Sequence, residues 1–314
     1  MKSRKVRLGI DLMGSERFPS DLFSASISQV EDDVELLFLA TDEEIPENSS
    51  FSFHRVDEVI TMEDDPIRSV ISKRQSSLIQ GLELLKQGAI DAFITSGNTG
   101  ALIAGSTALL TKMGSMERAG LLATLPSRRG EFIALDVGGM LLCRPNHLLQ
   151  FARFGSAYIS VVNDIEMPRV GLLNVGSESV KGTEELRAAY RLLAEDQPHF
   201  EFIGNVEPDQ IFEDNVDVVV TDGFSGNVLL KTCEGISSLI FQKLKENLLT
   251  QEGLYLVEKT FCSAEYPGAL VSGIESVVLK CHGHSSDTAI QHSIQLATRL
   301  VRLNALSQIS SKMV

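Results

Sequence analysis

Tryptophan is absent from the 314 residues, and all aromatics together supply only 6%. A core must therefore rest on Leu, Ile, Val and Ala. Cysteine is scarce. Cys143, Cys233, Cys262 and Cys281 are scattered and form no Cys-x-x-Cys pair, which argues against a disulfide framework and for free thiols in a reducing setting. No apolar run approaches the ~20 residues of a spanning helix. Met1-Lys2-Ser3-Arg4-Lys5 leads straight into a short apolar strand without a signal-peptide core or cleavage site, so a cytoplasmic location is expected. Positive charge is also short. Twenty-eight Lys and Arg face forty-two Asp and Glu, a net charge of −14. Such a body repels nucleic-acid phosphate, and nucleic acid is excluded as a general partner. Any anionic ligand must be held by a local site.

Familiar signatures are missing as well. No Gly-x-Gly-x-x-Gly follows a strand, Lys181-Gly182-Thr183 has the Walker letters in the wrong order, and there is no Gly-x-Ser-x-Gly elbow. His282 and His284 beside Cys281 form a His-x-His pair with no second cluster, so neither metal nor cofactor is expected.

What is present is an alternation. Apolar runs at 6–11, 34–40, 91–95, 132–137, 169–175, 200–204, 216–221 and 276–281 read as strands. Stretches at 20–30, 76–87, 99–112, 147–162, 183–195, 228–249 and 288–306 read as helices. Val216–Val220 is nearly all valine, which suits a strand buried on both faces. The pattern predicts an α/β fold, a three-layer α/β/α arrangement around a mostly parallel sheet. It is either one large domain over 1–314 or two closely joined lobes.

The turns after the strands are rich in Gly and polar residues: 96–100, 176–178, 204–207, 222–227 and 282–286. In a parallel sheet such turns gather along the carboxyl edge, where ligands bind. Free N–H groups and about half a positive charge at each helix start suit phosphate. The same residues also serve any doubly wound protein as caps and tight turns, so one turn alone decides nothing.

Seven blocks in order carry a resemblance: Gly9–Gly14, Ser96–Ala101, Leu135–Gly138, Gly171–Gly176 with Lys181-Gly182, Phe202–Glu207, Val220–Val228 with Lys231, and Lys280–Gly283. From Gly9 to about Leu303 the chain resembles the bacterial phosphate acyltransferases of phospholipid synthesis, the PlsX type. The resemblance implies a fold similar to the phosphate acetyltransferase and isopropylmalate dehydrogenase group, and a homodimer. It also implies a reaction: acyl-[acyl-carrier protein] and orthophosphate give acyl phosphate and free carrier protein. Acyl phosphate then feeds a membrane glycerol 3-phosphate acyltransferase.

On this reading Ser96, Gly97, Asn98, Thr99 and Gly100 cradle phosphate, with Asp11, Gly14, Asp136, Gly138 and Gly176 lining the site. Lys181 supplies a point charge. Asp222, Gly223, Ser225, Gly226 and Asn227 form a facing wall, with Asn227 as oxyanion donor. Lys231 balances charge, and His282 donates to the phosphate or the leaving sulfur. An acidic carrier protein needs a basic dock, for which Arg68, Lys73 and Arg74 are the candidates.

The chain departs from the family in three places. Ser15-Glu16-Arg17-Phe18-Pro19 stands where the family has Gly-Asp-His-x-Pro, so no duty of that histidine carries over, although Arg17 could still bind phosphate. Gly139-Met140 replaces Ala-Asn. Residues 248–268 form a shortened version of a helical hairpin that the family associates with membrane contact and dimer packing. Two other readings stay open: a short-chain phosphate acyltransferase acting on acyl-coenzyme A, and a weakened relative serving as a scaffold that binds carrier protein or membrane.

Overall fold

A computed structural model describes residues 4–46, 49–114, 116–128, 130–196, 199–246 and 267–313. The shortened hairpin region falls almost wholly outside them. The chain divides into two compact units, residues 1–113 with 267–307 and residues 114–266 with 308–314.

The first unit holds β1 (Val6–Asp11), β2 (Val34–Ala40), β3 (Ser52–Arg55), β4 (Ala92–Thr95), β10 (Ala269–Val271) and β11 (Val277–Lys280). Their order is β3-β2-β1-β4-β11-β10. All pairs are parallel except β10 with β11. Leu8 lies in register with Leu36 on one side and Ala92 on the other, and Ile94 with Leu279. One face is covered by α3 (Ser77–Lys86), with α4 (Thr99–Leu109) and α2 (Pro66–Ser72) packed beyond it. Helix α8 (Asp287–Arg302) lies on β1, β4 and β11 with α1 (Pro19–Ile27) beside it. A last helix, α9 (Ala305–Lys312), begins in this unit and belongs from Gln308 onward to the second.

The second unit holds β5 (Leu121–Pro126), β6 (Glu131–Leu135), β7 (Arg169–Leu173), β8 (Glu201–Val206) and β9 (Val218–Val220), in the order β5-β6-β9-β7-β8. Only the β5–β6 pair is antiparallel among these described strands. Helix α5 (Pro145–Val162) packs on β6, β9 and β7, and α6 (Glu184–Glu195) on β8 and α5. Helix α7 (Gly223–Glu246) leaves the end of β9.

Local chemistry explains the helix starts. Asp65, Asn98, Thr183 and Ser286 each accept an N–H from three residues on, so one orphan donor per helix is satisfied. Pro19, Pro66 and Pro145 stand at first helical positions, where the missing N–H costs nothing. The α/β expectation holds, with a mostly parallel sheet between helices. Five elements went unread, among them α9, since the helix predicted over 288–306 is broken at Asn304 with φ +49°. Strand β3 is a four-residue edge, α2 is short with exposed Ile67 and Ile71, and β5 and β10 are held by antiparallel partners rather than by a strong pattern of their own. Helix α7 also starts five residues earlier than the predicted Val228, so Gly223–Asn227 is its first turn and not a preceding loop.

Candidate functional site

In the first unit the chain leaves β1 at Asp11, which is buried. Its Oδ1 accepts the Met13 N–H at 2.9 Å, and its Oδ2 accepts the Thr95 hydroxyl at 2.7 Å. Thr95 Oγ1 in turn accepts the Gly97 N–H at 3.0 Å. A relay of bonds thus ties the β1 end to the Ser96–Gly100 turn. Burial pushes the Asp11 carboxyl up to about 6, against the pull of the Ser77 and Thr95 hydroxyls, the Met13 amide and the Lys280 charge. Gly14 has φ +69°, and a Cβ there would lie 2.7 Å from the Ile60 carbonyl, so only glycine suits this corner.

Asn98 is buried and works in two directions. Its Oδ1 caps α4 through Ala101 N–H at 3.0 Å, while its amide reaches the carbonyls of Thr61, Met62 and Asp64 at 3.1–3.4 Å. The side chain therefore shapes the turn. What the turn offers an anion is main chain, the first N–H groups of α4 at Thr99 and Gly100. Lys280, at the end of β11, donates to the Ser96 carbonyl at 3.3 Å and to the Cys281 carbonyl. It was not among the predicted site residues, although it opens the block Lys280–Gly283.

His282 is exposed, and its Nδ1 accepts the His284 N–H at 3.1 Å. Arg17 is engaged with the same segment. Its guanidinium donates to the Ser285 carbonyl and the Asp287 carboxylate, each at 2.7 Å, and Glu16 pairs with His284. In this arrangement Arg17 fastens the 282–287 turn and is not free as a phosphate fork.

In the second unit Asp136, fully buried at the end of β6, gathers four main-chain donors. Its Oδ1 accepts Leu121, Gly138 and Gly139 N–H at 2.8–3.0 Å, and its Oδ2 accepts Met140 N–H at 2.7 Å. Burial raises its pKa, and the four amides oppose that rise. The loop so formed locks onto the start of α7. Gly223 N–H donates to the Met140 carbonyl at 2.8 Å, and the Asn227 amide to the Val137 carbonyl at 3.1 Å. A Cβ on Gly226 would stand 1.9 Å from the Asp136 carbonyl. Asp222 caps α7 by accepting the Ser225 N–H and hydroxyl, both at 2.8 Å. One Asn227 amide hydrogen is spent on Val137. The second is available on a side chain that is otherwise exposed.

Two further amides hold the turn after β7. Asn174 donates to the Lys181 carbonyl at 3.3 Å and Asn205 to the Glu178 carbonyl at 2.8 Å. Gly176 lies beneath, where a Cβ would come within about 3 Å of Glu178 and Lys181. Lys181 faces Glu178 at 3.8 Å and is half exposed, whereas Lys231 is paired with Glu234 at 2.7 Å.

The predicted site residues thus fall into two sets. Asp11, Gly14, Ser96–Gly100 and His282 belong to the first unit. Asp136, Gly138, Gly176, Lys181, Asp222, Gly223, Ser225, Gly226, Asn227 and Lys231 belong to the second. Of the predicted docking residues, Arg68 and Arg74 are exposed, but the Lys73 ammonium is committed to the Val59 carbonyl and to Asp64 at 2.6 Å. Among the described residues no group of three His, Cys, Asp or Glu is placed to hold a metal ion, and no helix is long and apolar enough to cross a membrane.

Residues 6–308 match the family described as fatty acid synthesis protein. A phosphate acyltransferase of Thermotoga neapolitana is 39% identical over 97% of this chain and 96% of its own. One from Chlamydia abortus is 37% identical over 98% and 99%. Among solved structures, a branched-chain phosphotransacylase from Enterococcus faecalis superposes with a TM-score of 0.65 at 14% identity, covering 94% of this chain and 99% of that one. A phosphotransacetylase from Streptococcus pyogenes gives 0.63 at 13% identity, covering 96% and 95%. These two share the fold. The sequence matches carry more, and by them the chain belongs to the fatty acid synthesis protein family, that of the PlsX-type phosphate acyltransferases, and is an acyl-transferring enzyme.

Proposed function

We propose that the enzyme transfers the acyl group of an acyl-[acyl-carrier protein] thioester to orthophosphate. A phosphate oxygen attacks the thioester carbonyl carbon, the C–O bond forms, and the C–S bond breaks. The thiolate leaves and takes a proton from solvent. Free thiols of this kind have a pKa of about 8.5, so departure needs little acid help. The protein's share is positioning and charge stabilisation.

The surroundings of Cys143 favour direct transfer over an acyl-enzyme formed on that thiol. Cys143 sits beside the Asp136 loop, its Sγ against the Met140 carbonyl at 3.9 Å. Burial first, and then the charges of Asp136 and Asp222, push its thiol up to about 12. A thiol held protonated is a poor nucleophile, whereas orthophosphate arrives already anionic. In this reading the Ser96–Gly100 turn holds phosphate through main-chain N–H groups with Asn98 keeping its shape. Asn227 donates its remaining amide hydrogen to the oxyanion, and Lys181 adds charge. Lys231 and His282 act at the margin, one through its pair with Glu234 and one from an exposed turn.

The same reading includes a homodimer in the cytoplasm that passes acyl phosphate to a membrane glycerol 3-phosphate acyltransferase. Arg68 and Arg74, beside exposed Ile67 and Ile71 on α2, form the dock for acidic carrier protein. The test is incubation with palmitoyl-[acyl-carrier protein] and orthophosphate, following carrier thiol and acyl phosphate. Phosphate-dependent release of both supports the reading. Preference for a short acyl-coenzyme A would replace it with the short-chain enzyme, and carrier binding without release would replace it with the scaffold.

A further inference from the structure

The loop that departs from the family pattern, Gly139-Met140, runs on into Leu141 and Leu142, which are 69% and 87% exposed. On α7, Phe224 and Val228 are 63% and 52% exposed. Large apolar groups left this open are unusual when they share a surface, and the two segments that carry these are joined through the main chain. The Met140 carbonyl accepts the Gly223 N–H at 2.8 Å, so Leu141 and Phe224 each follow one member of a hydrogen-bonded pair. Phe224 and Val228 stand four residues apart on one helix face, with Asn227 between them at the third position. The Asp136 carboxylate fixes the loop through Met140 N–H at 2.7 Å, so neither half of the surface is loosely placed.

We infer that Leu141, Leu142, Phe224 and Val228 form the seat of a long acyl chain. The inference rests on the acyl-phosphate reading above and deepens it by assigning where the chain lies. A thioester carbonyl at the Asn227 amide puts the first methylenes of its chain over Phe224 and Val228, and the next over Leu141 and Leu142. No charged side chain belongs to this quartet, so the surface discriminates by chain length and not by head group. Each methylene taken fully out of water is worth about 0.8 kcal/mol, a factor of about four.

The test compares palmitoyl- and butyryl-[acyl-carrier protein] as donors for the enzyme, its Leu142→Ser variant and its Phe224→Ser variant. Binding of the fluorescent fatty acid dansyl-undecanoate is measured alongside, since it needs no turnover. We expect kcat/KM for the palmitoyl donor to fall about tenfold in each variant, with the butyryl donor within about twofold, and dansyl-undecanoate to bind correspondingly more weakly. Equal losses for both donors, or no loss with unchanged probe binding, would overturn the assignment. A wild type that turns over neither donor would instead sink the acyl-phosphate reading, and probe binding would then judge the apolar seat alone. Sedimentation and flotation with anionic phospholipid vesicles cover the remaining occupants. A variant that loses self-association or vesicle binding while keeping its donor ratio would give the surface to a second copy or to a lipid surface, and so refute an acyl seat.

Discussion

The carboxyl group of Asp11 makes stability depend on pH in a way that one substitution isolates. Its native pKa is about 6 against an ordinary 3.8. The native state therefore holds this proton more tightly than the unfolded chain does. Below about pH 3.8 both states are protonated and nothing is lost. As pH rises through 3.8 towards 6 the unfolded state gives up its proton first, so the native state loses stability, by about 3 kcal/mol once both are ionised. Between about pH 4.5 and 7.5 the loss is roughly 2 kcal/mol. Asp11→Asn removes the proton exchange while keeping an acceptor for Met13 N–H. The variant has its own constant cost, because the Thr95 hydroxyl must find a new arrangement. The difference between variant and wild type should nevertheless shift by about 2 kcal/mol in favour of the variant across that range. Urea unfolding of both proteins at several pH values measures it. Parallel profiles would show that Asp11 titrates as an ordinary carboxylate and that the relay to Thr95 and Gly97 does not hold it in a dry environment.

Gly226→Ala forces a Cβ towards the Asp136 carbonyl at 1.9 Å; unfolding free energy should drop by about 1–3 kcal/mol or more, and a neutral result would contradict the packing of α7 against the Asp136 loop. Cys143→Ser should retain turnover within a few-fold, whereas abolished activity with an intact fold would point to an acyl-enzyme. Arg17→Ala cuts two bonds to the 282–287 turn, so hydrogen exchange of the first α8 amides should accelerate, and unchanged protection would show that the clamp is idle. Reversing charge in Arg68→Glu with Arg74→Glu should raise KM for acyl carrier protein at low salt and leave KM for phosphate alone; an unmoved KM would remove α2 from the docking surface.

Much of this architecture is legible without coordinates. Buried parallel strands such as β9 are runs of valine because both faces are covered, and capped helices such as α4 and α6 declare their starts through Asn98 and Thr183. The Gly-rich segments are equally visible, because only glycine tolerates the corner at Gly14 or, inside the first turn of α7, the contact at Gly226. The use each side chain makes of its partners is not legible, since partners distant in sequence decide it. Asn98 reads as a ligand group until its amide is found on the carbonyls of residues 61–64. Arg17 reads as a phosphate fork until Ser285 and Asp287 take its guanidinium, and Lys73 reads as surface charge until Val59 and Asp64 claim it. Local pattern determined most of the strands, helices and tight turns, because periodicity and steric limits act over a few residues; short edge strands such as β3 and the start of α7 at Gly223 escaped it. Tertiary structure decided which polar groups are spent on the protein and which remain to meet a substrate, because a hydrogen bond needs both of its atoms in place.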